Sequence, residues 1–166
     1  MKLKKLFIPA LAAAGLAAAS GAYAGKIAVV SAERILSESS LAQQSEQTLR
    51  KEFSGRQKSI TNAAKAFKSK VDAYQKEKSS LTEEQRKARE KALSADEIAL
   101  QRRDRELRED LNRRRNEELH AILVKANAII ADIAKKEGYE LVLQEAVWAD
   151  PSIDITDRVM KAMPKR

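Results

Sequence analysis

Ser79-Ser80-Leu81-Thr82-Glu83-Glu84-Gln85 interrupts a stretch of sequence that is otherwise written for helix without a break. Between Gly55 and Gly138 the 82 intervening residues contain no glycine and no proline, and they are rich in Ala, Lys, Arg, Glu, Gln and Leu. These are the residues that lose least on entering a helix. Inside that run the paired serines break the pattern, and Thr82 followed three residues later by Gln85 has the form of a capping box. Glu83 and Glu84 then fall in the first turn, where the helix dipole favours negative charge. A helix that stops and restarts inside such a run predicts a hairpin with its tip near 79–82.

Outward from the tip, the two sides answer one another. On the outgoing side Phe53, Ile60, Phe67 and Tyr74 recur every seven residues, with Ala64 and Val71 four residues after two of them. The return side carries Leu93, Leu100 and Leu107 at the same interval, then Leu111. After a polar stretch it turns apolar again at Ile122, Ala126, Ile129, Ile130 and Ile133. Both stripes read as a heptad seam between two antiparallel helices and not as a ligand groove. At ~1.5 Å per residue, an outgoing arm of about 38 residues spans ~57 Å and a return arm of about 56 residues spans ~84 Å. A seam one residue wide buries little, so arms of this length are expected to bend unless something packs on them.

The chain ends have a different character. Lys26-Ile27-Ala28-Val29-Val30 is a short strand signal, and residues 139–144 and 146–149 are two more, the first entered through Lys135, Lys136 and Gly138 as a helix end. After Pro151, Asp154 is placed to cap a last short helix with Ile155, Val159 and Met163 on one face. The expected fold is α+β: a long antiparallel helical hairpin, 41–138, projecting from a small β-rich assembly body with short helices made of 25–40 and 139–166. Ile27 with Val29 and Leu141 with Leu143 each share one face of a strand. Together with Val159 they are the candidate packing and oligomerisation residues, because a sheet this small is a poor core for a lone chain.

Ahead of this body, Lys2, Lys4 and Lys5, an apolar run from Leu6 to Ala19 and Ala22-Tyr23-Ala24 together read as a removable export signal. Residues 1–24 are expected to be cut off after Ala24, leaving a soluble chain that works outside the cytoplasm. The run is too short for a bilayer crossing. The chain has no cysteine, so neither disulfides nor thiolate metal sites contribute to stability.

The formal charge of +8 is unevenly placed. Residues 82–120 carry eleven bases and eleven acids, while residues 41–78 carry nine bases and four acids. Between Glu52 and Asp72, Arg56, Lys58, Lys65, Lys68 and Lys70 meet no acid in sequence, and they are the candidate client- or anion-attracting residues. On the return side Asp104/Arg108, Glu109/Arg113 and Asp110/Arg114 are acid-first pairs four apart that support an exposed helix. No catalytic constellation stands out. His120 has no His or Cys partner, the glycines form no phosphate loop, and no nucleophile elbow or carboxylate pair appears. The expectation is therefore no enzyme, no cofactor and no metal. A pI of 9.7 raises nucleic-acid binding, but Phe53, Phe67 and Tyr74 are committed to the seam and export removes the chromosome from reach, so no specific nucleic acid is expected.

Several segments together resemble the Skp/OmpH family of periplasmic chaperones over essentially the whole chain. They are the opening strand Lys26–Val30, Glu52-Phe53-Ser54-Gly55-Arg56, Arg114-Arg115-Asn116-Glu117-Glu118, residues 139–148 and Ile153-Asp154-Ile155-Thr156-Asp157. The resemblance implies a homotrimer whose terminal strands form a shared β-rich body, with three hairpins around a cavity that holds unfolded outer-membrane proteins without nucleotide. It also implies contact with lipopolysaccharide or an anionic membrane surface, for which Arg113 and Arg114 are the candidates. A structural or adaptor coiled-coil protein of the cell envelope is the rival reading.

Overall fold

The structure, a computed structural model, describes residues 25–164; the expected export signal and its cleavage point after Ala24 lie outside them. Strand β1 (Ile27–Val30) leads into helix α1 (Ala32–Glu38), then α2 (Ser40–Glu77), α3 (Glu83–Glu137), strand β2 (Leu141–Gln144), a 3-10 turn at Pro151–Ile153 and helix α4 (Thr156–Ala162). The α+β hairpin expected from the sequence is the fold observed. Its long helices hold 38 and 55 residues.

Local chemistry fixes each boundary. Thr82 accepts the backbone N–H of Gln85 at 3.3 Å, and the Gln85 side chain accepts that of Thr82 at 3.0 Å, closing the capping box that starts α3. Gly138 ends α3 in the left-handed region at φ 71°, where a side chain would be strained. Ser39, almost wholly buried, serves two helices. Its N–H donates to the Ile35 carbonyl and closes α1, while its hydroxyl accepts the Ala42 N–H and opens α2.

In the body, β1 and β2 run parallel with Ile27 opposite Leu141 and Val29 opposite Leu143. Parallel neighbours need a long crossover, and here the crossover is the entire helical hairpin. One sheet face sends Ala28, Val30 and Val142 inward to meet Ile35, Leu41, Ile122, Ala126, Ile155, Val159 and Met163. The C-terminal segment seals this core. Val29 bridges Asp154 along the free side of β1, its carbonyl accepting the Ile155 N–H at 2.9 Å, and Thr156 accepts the Ser31 N–H at 2.8 Å.

Two expectations are corrected. Residues 146–149 form no strand: Glu145 adopts φ 66°, the chain leaves the sheet, and Val147 and Trp148 project into solvent. The run Ala146-Val147-Trp148-Ala149 is apolar throughout, but the described sheet has two strands and offers it no third partner. Asp154 does not cap α4 as its boundary residue, since Ile155 holds that position; its carboxylate instead accepts the Thr156 N–H at 2.7 Å, one residue into the helix.

Candidate functional site

Along the arm, apolar packing is confined to one place. Leu49 and Phe53 on α2 close over Leu107 on α3, with Ile60 and Leu111 at the margin. Farther out the seam residues Phe67, Val71, Leu93 and Leu100 are only half buried, and Tyr74 is the next one covered, its hydroxyl donating to Glu90 at 2.5 Å. That carboxylate pushes the Tyr74 phenol above its ordinary value.

Charge pairs bridge the arms between these points: Glu52 with Arg114 at 3.5 Å, Arg56 with Asp110 at 2.7 Å, Lys70 with Asp96 at 2.6 Å and Glu77 with Arg89 at 3.7 Å. In all four the two residue numbers add to 166, so the helices advance residue against residue with no slip from the inner arm to the tip. The sign of the outgoing partner runs acid, base, base, acid, and a slipped register would lose these matches. Exposed pairs contribute little to stability singly, but a fixed order of signs specifies alignment.

This pairing divides the five expected cations. Arg56 and Lys70 are answered across the seam, and hydrogen bonds from Arg56 and then Arg113 hold the Asp110 carboxyl below its ordinary value against the opposing effect of partial burial. Sequence spacing showed no neighbouring acid for these bases because their acids lie on the other helix. Lys58, Lys65 and Lys68 have no acid within ion-pair distance among the described residues. Arg113 and Arg114 are likewise engaged. Arg113 turns to Asp110 and Glu117 and not to Glu109, and Arg114 meets Glu52, Glu117 and Glu118 and not Asp110. Those acids push the Arg114 guanidinium further toward its charged form. Asp104 and Arg108 do pair, at 2.9 Å.

What the fold assembles instead is a groove of about 640 Å³ on the inner arm. Leu49, Phe53 and Leu111 form its floor, Ser54, Gln57, Thr61 and Asn62 run along it, and Arg50, Lys58, Lys65 and Arg115 rim it, with Glu46 holding Arg115 at 3.6 Å. Arg50 and Leu49 were missed in the sequence. The signal for Arg50 is the three- and four-residue spacing 46, 50, 54, 58, 61 and 65, which places it on the side of α2 beside the seam, and that for Leu49 is its place four residues before Phe53. His120 is exposed, and no three metal-ligating side chains converge among the described residues.

The second candidate surface is the outer face of the body sheet. Ile27, Leu141 and Leu143 stand together at 43%, 47% and 41% exposure, with Val147 and Trp148 exposed nearby in sequence. Val29, on the same face, is covered by its bridge to Asp154. Val159 is wholly buried in the core of its own chain and has no surface to offer a second copy. Of the five residues expected to pack or assemble, three present an unpartnered apolar face and two are used within the chain. No helix of the described residues is long and apolar enough to cross a membrane.

Comparison with known proteins follows the same outline. A family model described as Outer membrane protein (OmpH-like) matches residues 26–163. The chain is similar to the Chaperone protein Skp of Yersinia enterocolitica, 27% identical over 161 residues that cover 96% of this chain and 98% of the relative. It is 29% identical over 162 residues to the Chaperone protein Skp of Photorhabdus luminescens, with the same shares covered. A solved structure of an OmpH-like protein from Caulobacter crescentus CB15 shares the fold, with a TM-score of 0.73 at 17% identity, covering 98% of this chain and 89% of that one.

Proposed function

The chain belongs to the OmpH-like outer membrane protein family, and from that premise we propose that it is an ATP-independent holdase chaperone of the periplasm, enclosing unfolded outer-membrane β-barrel proteins until they insert. The observation that carries the mechanism is the groove on the inner arm, apolar at Leu49, Phe53 and Leu111 and cationic at Arg50, Lys58, Lys65 and Arg115. A strand destined for a membrane barrel alternates apolar and polar residues. It is too polar for a wholly greasy cleft and too apolar to remain alone in water. A shallow surface that offers apolar floor and charged rim side by side suits it, and many weak contacts hold it without trapping it. The uncompensated Lys58, Lys65 and Lys68 draw acidic segments in before contact.

Three chains assembled through Ile27, Leu141 and Leu143 would close an apolar sheet face that one chain leaves bare. The chaperone function then rests on a homotrimer with three arms around one cavity. Lipopolysaccharide or an anionic membrane surface is the lesser partner, because Arg113 and Arg114 must first give up the acids that hold them. Catalysis has no part in this scheme, and capture and release are passive.

The decisive experiment mixes the purified protein with a urea-unfolded outer-membrane barrel, dilutes the urea without ATP, and separates soluble complex from aggregate. A soluble complex of fixed stoichiometry is expected. Aggregation of the barrel at the rate seen without the protein overturns the reading and favours an adaptor role.

A further inference from the structure

At Gly25, next to the expected cleavage point, a carboxylate approaches the backbone closely. A methyl group built on Gly25 would lie 2.2 Å from Oε2 of Glu140 and 2.8 Å from its Cδ, so this carboxylate sits directly against the Gly25 α-carbon. The Glu140 backbone N–H donates to the Lys26 carbonyl at 2.8 Å, which fixes the two residues across the mouth of the parallel strand pair. The other charges at this end are already matched. Lys26 lies over the Tyr139 ring at 4.2 Å and donates to the Glu137 carbonyl at 3.0 Å, and Arg158 pairs with the Glu137 carboxylate and reaches the Tyr139 hydroxyl. Glu140 alone among these acids has no cation within ion-pair distance among the described residues.

The backbone nitrogen of Gly25 is one bond from that α-carbon, hence no more than about 5 Å from Oε2. We propose that Glu140 is the receptor for the α-ammonium group created when the export signal is removed after Ala24, so that processing itself adds the ion pair that pins β1 to β2. This rests on the reading of residues 1–24 as a removable signal and is independent of the holdase reading. In the precursor the same nitrogen is an uncharged peptide amide. The body's strand pair therefore gains its outermost fastening only after export, when folding no longer competes with translocation. Glycine at position 25 is what lets the carboxylate approach so closely.

The pair stabilises the charged amine, so the α-amino pKa is raised in the folded state. Its contribution is complete below the ordinary value of about 7.7–8.0 and disappears as pH rises through the raised one. The test uses protein exported with its own signal and purified from the periplasm, with the amine carrying ¹³C-methyl groups that keep its charge and report its titration. Mass spectrometry must first give a chain starting at Gly25. The α-amino pKa is then expected at least about half a unit above the ordinary value, a roughly threefold preference for the charged form. It should return to ordinary in Glu140→Gln and stay raised in Glu137→Gln. An ordinary pKa that ignores Glu140→Gln overturns the pair with the signal reading intact. A mature chain starting elsewhere overturns both, and the mass alone tells the two failures apart.

Discussion

In the body, nine buried residues drawn from β1, α1, α2, α3 and the α4 segment meet in one cluster, whereas along the arm the corresponding cluster has three. The body joins the two ends of the chain by a broad apolar core, and the arm joins its two helices by a narrow apolar seam whose register is matched in charge. Burial of apolar surface is non-directional and cooperative. Charge pairing at a surface is directional, weak, and dependent on salt and pH. One part of the molecule is thus built to stay shut, and the other is aligned without being clamped, which is what an arm that must wrap a variable client requires.

The sharpest break of this contrast is Ile155→Ala, which leaves a void where a residue 1% exposed now sits and is expected to cost about 2–5 kcal/mol, read as a lower urea midpoint for the body. Leu143→Asp should leave the fold intact and abolish assembly, because it places a charge on the bare sheet face; sedimentation that still shows an oligomer refutes the assignment. Phe53→Ala takes the one aromatic ring out of the arm's buried cluster, at about 3 kcal/mol. Hydrogen exchange should speed up along the inner arm, and body amides should keep their protection.

Smaller effects probe the charge lattice. Arg56→Asp alone should lower arm protection slightly, and combining it with Asp110→Arg should restore it only in part, since the pair across the seam is remade while the Arg113 contact of Asp110 is lost. Acid gives the last distinction. The Asp110 carboxyl is held below its ordinary 3.8, so its contribution is present above that value and is lost as pH falls through the depressed one. Arm contacts should loosen there before the body core, whose buried residues are almost all apolar.

The arm was far more legible in the sequence than the body. Its helices are specified locally, by composition, by the Thr82–Gln85 box and by Gly138, and the length of α3 follows from those marks. The face of the last helix was equally plain, because Ile155, Val159 and Met163 are spaced four apart and all are buried. Helix α1 was not read, since seven residues with Ile35 as the one fully buried side chain give too short a period to detect. The strand expected at 146–149 failed because strand propensity needs an available edge, which no local pattern reveals. The groove escaped for a related reason. Its rim combines Arg50, Lys58 and Lys65 with Arg115 from a distant stretch of the return helix, and only the register of the hairpin decides which cations end up beside it.

That register has a bearing on how such a protein changes over evolutionary time. With the four cross-arm pairs from Glu52–Arg114 to Glu77–Arg89 balanced about the same midpoint, a single insertion on one helix would break that balance. Seven residues removed from each side at matching distances would shorten the arm by two turns, or about 10 Å, and leave the remaining pairs in step. The hairpin is in this sense a telescoping ruler, whose reach can be reset without altering a residue of the body.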